Sequence, residues 1–504
     1  MDNGQFPIPN SQFPSFPISQ LPNFPTFDEK RAMSHLRTAS RDRRWETKAW
    51  IGALLAGGLL ALTTWLALAA PMRGFLHMTT NLSQRPARWS NFADIAVAPD
   101  GDRVAVVWPE AYADGGDPRG NVYLRWASEG SGSGWSSPLL LFSGSATNCA
   151  FATSVAVTGT TAHVAYAVST PCENPTQQTI YYRTCPLVSG GWCAAAVVIA
   201  QISISGSDPG YGAVDLALDA QSNPHFVYSV YRMVSGSDIG TVYYCWRHDG
   251  TTEPEWQVSP TGQDTNNPSI AWANNVVHVV WENEVDDEIW YRRKSGTTWS
   301  GATILTGDAG SDVYAPRNPD VTARDSRVIV VWDWHYPIYD PNDPDYIVAY
   351  RRSDNSGSGW VGTWREVGTD LGSPTNFYTS TAEAIPAEYN TYLRPSVALD
   401  GWGRPTVVWH ADQGAPDAPD YDLFYTQATT LTLNNVIWGP TTRLNAFTTG
   451  QSASPRVALS GEITPHLHVA CLFGNGSDWE TVYESNEAEG YSFLYLPVIR
   501  RSSS

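Results

Sequence analysis

Methionine is scarce in this chain, with 5 residues among 504, and charged side chains make up only 16%. Helical bundles and coiled coils draw heavily on Leu, Glu, Lys and Arg, so that composition argues against them. Basic residues are outnumbered, 31 against 50 acidic ones, for a net charge of -19. A duplex-binding protein presents a basic face, so no nucleic-acid partner is expected. No His-Glu-x-x-His, Gly-x-Ser-x-Gly, phosphate loop or dinucleotide fingerprint occurs, which leaves no metalloprotease, nucleophile-elbow or nucleotide-binding motif. What the chain has instead is 41 Gly, 35 Pro, 22 Trp, 24 Tyr and 15 Phe. That mixture suits many short strands joined by turns.

One apolar run is long. Ala49 to Ala70 reads AWIGALLAGGLLALTTWLALAA, without a charge, and about 20 such residues span a bilayer as a helix. Seven basic residues lie between Lys30 and Lys48 before it, whereas the next one after it is Arg73. The positive-inside rule then puts the N-terminus in the cytoplasm and everything beyond residue 73 outside a bacterial cell membrane, as a single-pass protein. The alternative is a secreted chain cleaved near Ala69, in the A-x-A pattern Ala67-Leu68-Ala69. Residues 1–27 repeat Phe-Pro and read as a disordered, partly polyproline tail. Residues 28–48 form a basic juxtamembrane segment, 71–89 a linker, and 500–504 a short tail.

Between them, residues 90–499 are repetitive. A strand ending in an aromatic residue or Cys recurs roughly every 60 residues: VAVVW to Trp108, HVAYA with Tyr166, HFVYS with Tyr228, VHVVW to Trp281, VIVVW to Trp332, TVVW to Trp409 and LHVAC to Cys471. Each has a first strand before it (DIAVA, SVAV, VDLALD, PSIAW, PDVTA, PSVALD, PRVALS) and a third after it (NVYLRW, TIYYRT, TVYYCW, EIWYRR, IVAYRR, DLFYTQ, TVYESN). A Trp follows near the fourth. Four-stranded antiparallel units repeated in this way predict an all-β fold, a seven-bladed β-propeller behind one transmembrane helix. A degenerate first or last unit would make it six-bladed. The last blade needs a fourth strand, either SFLYL near Phe493 to Leu496 or FLHMT after Arg73. The repeated Trp and Tyr are expected to pack between blades.

These units resemble the bacterial neuraminidase repeats of the sialidase superfamily over about residues 90 to 496. The sharpest mark is the Asp-box, S-x-D-x-G-x-x-W. SDNSGSGW, Ser353 to Trp360, fits with Asn355 in the Asp place; SEGSGSGW, Ser128 to Trp135, fits with Gly130 there; KSGTTW, Lys294 to Trp299, is a shortened form. In such a box a polar side chain closes the turn and the Trp packs beneath it. The resemblance implies an arginine triad for a sugar carboxylate, a Tyr/Glu pair and an acidic general acid. The FRIP or YRIP motif of active sialidases is absent. Arg317, Arg394 and Arg456 each precede or open a first strand, but stand at -2, -1 and +1 from their local Pro, so they share no register. Glu388 and Tyr389, in the longest linker between repeats, are candidates for the Tyr/Glu pair.

Loops between second and third strands open on the same face as the starts of the first strands, and they are acidic. Asp340, Asp343 and Asp345 are candidate ligands for Ca²⁺, the only cofactor the sequence suggests, although no EF-hand or nonapeptide repeat is present. His335 and His410 follow two second strands and reach that face as candidate binding residues. Four of the six cysteines lie in the second repeat, on the disulfide-permitting side. Cys149 with Cys172 and Cys185 with Cys193 are the expected pairs, with other pairings of the four open; Cys245 and Cys471 read as buried thiols. The function expected is a membrane-anchored binding or scaffolding module for a glycan, a surface polymer or an envelope protein. The alternative is a glycoside hydrolase of sialidase type.

Overall fold

The computed structural model describes residues 80–485 except 84–87, 91–92, 113–119, 129–133, 146, 173–174, 205–211, 235–236, 308–315, 337–344, 368–392, 413–420, 434, 445–450, 461–464 and 476–477. The Pro-rich tail, the juxtamembrane segment, the 49–70 run and SFLYL lie outside them. Among the described residues no helix is long and apolar enough to cross a membrane.

The described chain is a seven-bladed propeller of antiparallel meanders. The inner strands are Asp94–Val97, Cys149–Thr158, Val214–Leu218, Thr265–Ala273, Arg317–Arg324, Ser396–Leu399 and Gln451–Ser460. In the first blade the others are Arg103–Tyr112, Asn121–Ser128 and Leu139–Phe142. Inner strands and second-to-third loops begin on one face, here the upper. First-to-second and third-to-fourth turns lie on the lower face.

The second strands are apolar on both sides because both sides are buried. In blade 1, Val104, Val106 and Trp108 pack toward blade 7, and Ala105 and Val107 toward blade 2. Each of the apolar clusters among the described residues spans one junction between neighbours: blades 1/2, 2/3, 3/4, 4/5, 5/6, 6/7 and 7/1. No blade has a core of its own, so a propeller interior is a circle of interfaces.

Three side-chain devices repeat at these junctions. Second-strand His163, His225, His278 and His468 bond through Nδ1 to the hydroxyls of third-strand Tyr182, Tyr244, Tyr291 and Tyr483, at 2.7–2.8 Å. Burial lowers His163 and His225 to about 4 and His278 to about 3, so these rings stay neutral. A Trp of the next blade stands edge-on to the tyrosine: Trp299 on Tyr244, Trp360 on Tyr291, Trp438 on Tyr350 and Trp135 on Tyr483. Third-strand arginines reach back to the preceding blade's outer carbonyls: Arg125 to Leu82 at 3.0 Å, Arg183 to Leu141, Arg292 to Val258 at 2.8 Å and Arg351 to Leu305 at 3.0 Å. In the turn before Trp360, Asn355 Oδ1 accepts from Gly359 N–H at 2.9 Å and from Ser353 Oγ at 2.8 Å.

The ring closes through two short strands within the stretch read as linker. Thr80–Asn81 pairs antiparallel with the last third strand, Asp478–Ser485, as Thr80↔Tyr483 and Asn81↔Val482. The outer place of blade 7 is thus filled by the residues directly after FLHMT. Arg88–Ser90 pairs with blade 1 and, at Trp89↔Trp479, with blade 7, joining first and last blades in one sheet. The disulfides are Cys149–Cys172 and Cys185–Cys193, and Cys245 and Cys471 are free and buried.

Blade 7 departs from the pattern at Glu484, which holds the place of the strap arginines. It is 3% exposed, and neither carboxylate oxygen has a partner among the described residues. Burial raises it to about 7. A folded value above the unfolded one favours folding fully below about pH 4.5, and that contribution is lost as pH rises through about 7. Glu484→Gln should therefore raise the melting temperature at pH 8 and change it little at pH 5, in thermal scans across that range. Separately, Trp360→Ala should cost about 3 kcal/mol in urea unfolding, since it empties a blade junction. Trp192→Ala, at a side chain 90% exposed, should stay within about 0.5 kcal/mol of the native chain.

Candidate functional site

A cavity of about 330 Å³ lies where the inner strands converge, lined by inner-strand residues of all blades. Its wall is a ring of one residue per blade: Asp94, Ser154, Asp215, Ser269, Asp320, Ser396 and Arg456. Ser154 Oγ lies 3.0 Å from Asp94 and 2.8 Å from Asp215. Ser269 Oγ lies 3.1 Å from Asp215 and 3.0 Å from Asp320, and Ser396 Oγ 3.0 Å from Asp320. Backbone N–H groups complete each acid. Asp215 also accepts from Leu216 at 2.8 Å and Ile270 at 2.9 Å, and Asp320 from Val321 at 3.0 Å and Val397 at 2.8 Å. Asp94 likewise accepts from Ile95 at 2.9 Å and Val155 at 2.7 Å.

A serine hydroxyl has one proton to give. With a carboxylate on either side, Ser154 satisfies both only when one acid carries a proton. Burial, then the neighbouring Asp215, raises Asp94 to about 7; burial raises Asp215, and Arg456 opposes both shifts. Arg456 occupies the blade 7 place with an exposed side chain. The ring is therefore a hydrogen-bonded arc closed by a cation.

A second circle stands above it. Asn267, Asn318, Arg394 and Ser454 each precede a proline and adopt φ of 43–50°. In blades 4, 5 and 7 the inner strand slips register across this pair. The left-handed region is tolerated by Asn and costly for Arg or Ser. The side chain following the second-strand aromatic of the preceding blade holds the bend. Asn318 N–H donates to Glu282, Leu393 N–H to Asp333 at 2.9 Å, and Ser454 N–H to His410 Nδ1 at 3.3 Å. Asn267 Nδ2 adds a bond to Glu282 at 2.9 Å. Burial raises Glu282, and raises Asp333 to about 7; burial then Arg394 lowers His410 to about 3, which keeps its nitrogen an acceptor.

The three arginines divide accordingly. Arg394 and Arg456 line the cavity, and Arg394 Nη1 lies 3.5 Å from Ser454 Oγ. Arg317 is not in the lining; it pairs with Glu282 at 3.7 Å and Glu284 at 3.5 Å. His410 is buried in the blade 6/7 clasp. His335 is the last residue but one of the second strand of blade 5, Arg327–Tyr336, and Asp345 opens its third, Asp345–Ser353. Glu388, Tyr389, Asp340 and Asp343 lie outside the described residues. Among the described residues no three His, Cys, Asp or Glu side chains cluster as a metal site. Asp94, Asp215 and Asp320 were missed as a set. Their signal is in the sequence: the residue just before the apolar stretch of each first-strand motif (IAVA, VAV, LAL, IAW, VTA, VAL, VAL) runs D, S, D, S, D, S, R.

No protein-family model matches the chain, and no characterised protein matches it in sequence. Solved structures match in fold. A mutant of the NanB sialidase from Streptococcus pneumoniae shows 10% identity and a TM-score of 0.42, over 79% of this chain and 68% of that one. A neuraminidase-like protein from a Guatemalan bat isolate shows 10% identity and a TM-score of 0.41, over 82% and 93%. A mutant α-L-arabinofuranosidase of Fusarium graminearum, bound to an iminosugar inhibitor, shows 10% and 0.42, over 67% and 92%. The ring makes its own prediction. Asp215→Asn turns an amide N–H₂ toward donors on one side, so it should cost about 2–4 kcal/mol in denaturant unfolding. The chain is a seven-bladed β-propeller similar in fold to sialidase and neuraminidase-like propellers.

Proposed function

We propose that the chain is a membrane-anchored, extracytoplasmic binding module that takes a hydroxyl-rich glycan or surface polymer at the upper mouth of its channel. The observation that carries this reading is the cavity of about 330 Å³ with Arg394 and Arg456 in its wall. Small-ligand sites begin at about that volume. The ring carboxylates beneath are occupied: each oxygen of Asp94, Asp215 and Asp320 accepts a backbone N–H. Glycoside hydrolysis needs two carboxyl groups at liberty on either side of the scissile bond. Guanidinium groups beside side-chain amides and hydroxyls suit recognition of an acidic or polyhydroxylated chain instead. Anchoring is supported by the uncharged run from Ala49 to Ala70 and its basic flank, and an oxidising compartment by the two disulfides of blade 2.

The test is a glycan array with the full chain, alongside a fluorogenic sialoside. The native chain should bind acidic glycans without turnover. Arg456→Ala should weaken binding about 10–100-fold, the loss of one charge-assisted contact. Sialoside turnover by the native chain, abolished in Arg394→Ala, would make it a glycoside hydrolase.

A further inference from the structure

The lower face carries apolar side chains that the fold does not use. Trp192 is 90% exposed, Leu433 90%, Trp402 64% and Val188 42%. All four sit on lower-face turns of blades 2 and 6, and each turn is rigid. In blade 2 the Cys185–Cys193 disulfide closes the stalk, buried Leu187 anchors it, and Gly191 N–H bonds Val188 C=O at 3.0 Å. In blade 6 the carbonyls of Trp402 and Leu433 are gripped from blade 5. Arg327 Nη1 lies 3.2 Å from Trp402 O, and Arg352 Nη2 3.1 Å from Leu433 O. Both arginines pair with Asp354, at 3.1 and 3.0 Å. Buried Asp400 also accepts from Trp402 N–H at 2.9 Å. Turns built this firmly hold indole and leucyl groups in water, where burial would favour them.

The chain itself says what covers them. Thr80 enters the propeller beside Tyr483 and Asn81 follows beside Val482, antiparallel to a strand that descends to Ser485. The first described strand therefore starts at the lower face, in blade 7. That blade and blade 1 lie between the apolar turns of blades 6 and 2. Only residues 71–79 separate Thr80 from the uncharged run ending at Ala70; nine residues reach at most about 30 Å.

We propose that the lower face, through Trp192, Trp402, Leu433 and Val188, rests on the lipid surface of the membrane that holds the chain. This rests on the anchored reading given under Proposed function. Trp favours the bilayer interface, where its apolar body is covered and its N–H stays wet. Exposed Asp100 and Asp102 share this face in blade 1, so the contact is apolar insertion into a zwitterionic surface, not attraction to anionic lipid. The acidic, cavity-bearing upper face is then turned outward.

The experiment is hydroxyl-radical footprinting of the full chain in phosphatidylcholine vesicles and in detergent-free nanodiscs, read by mass spectrometry. Trp192 and Trp402 should be oxidised about fivefold less with lipid than in proteolysed, lipid-free propeller at both low and high salt. Trp256, on the outer strand of blade 3 directly after Glu253-Pro254-Glu255, is the unprotected reference. Equal oxidation of Trp192 and Trp402 with and without lipid would overturn the proposal. So would their protection by a soluble polysaccharide but not by vesicles, which would make the patch a carbohydrate platform. An alkaline carbonate wash reads the anchor separately. If the chain washes off, neutral flotation on the same vesicles takes over. The Trp192→Ser/Trp402→Ser/Leu433→Ser variant, folded by its unchanged melting temperature, should then float about tenfold less than the native chain. Equal flotation would sink the proposal even without an anchor.

Discussion

A four-stranded blade has two apolar faces, and among the described residues it is another blade that covers each one. Every apolar cluster is shared between neighbours. An open row would leave two uncovered faces at its ends, each worth many kcal/mol of exposed Val, Ile and Trp. Closure is thus the condition for stability of the whole. It explains why so short a pairing as Thr80–Asn81 matters. It sits where Trp135 of blade 1 meets Tyr483 of blade 7 and where Arg125 reaches Leu82. The same Trp–Tyr and Arg–carbonyl devices that join ordinary neighbours also join first to last.

Seven is odd, and that has a consequence at the axis. Two residue types can alternate around an even ring, each acid lying between hydroxyls. Around seven places the alternation must fail once. Here it fails between Ser396 of blade 6 and Asp94 of blade 1, and Arg456 stands in the gap. In blade 7 a fourth acid would have stood beside Asp94 and a fourth serine beside Ser396. A cation answers the accumulated negative charge and opposes the burial-driven rise of both Asp94 and Asp215. Arg456 is therefore structural and available at once: its place is fixed by the ring, and its side chain remains exposed.

Much of this was legible in the sequence. The second-strand repeats located all the blades, and the apolar run VAVVW already implied burial on both faces. Cysteine placement in blade 2 yielded the two bonds formed. The site was read less well because the arginines were compared by distance from proline. In blades 4, 5 and 7 the proline sits inside a bulge, where the count of residues slips. Counting instead by the second-strand partner, the residue just before the aromatic or Cys, aligns Asp94, Ser154, Asp215, Ser269, Asp320, Ser396 and Arg456. It also separates Arg317, which lies before the bulge and pairs with Glu282 and Glu284. His410 was singled out for its place after a second strand. That place belongs to a clasp shared with Glu282 and Asp333, whose common task is visible only in three dimensions.

One topology gives the two faces different physics. On the upper face each inner strand must turn in from its neighbour, and in blades 4 to 7 it does so through a non-glycine residue at positive φ followed by proline. Such backbone persists only when surrounding groups over-determine it, and here buried Glu282, Asp333 and His410 do so. The strained bends of the upper face therefore come with pre-positioned polar groups, the property a binding site requires. On the lower face the strands are joined by short turns, in which Ser222, Asp249, Asn274, Asn275, Asp325 and Ser356 also take positive φ, and two of those blades are further stiffened, by a disulfide in blade 2 and by paired arginines under blade 6. Rigid polar geometry on one side and rigid apolar display on the other are what a module would need to hold a ligand outward while standing on a surface.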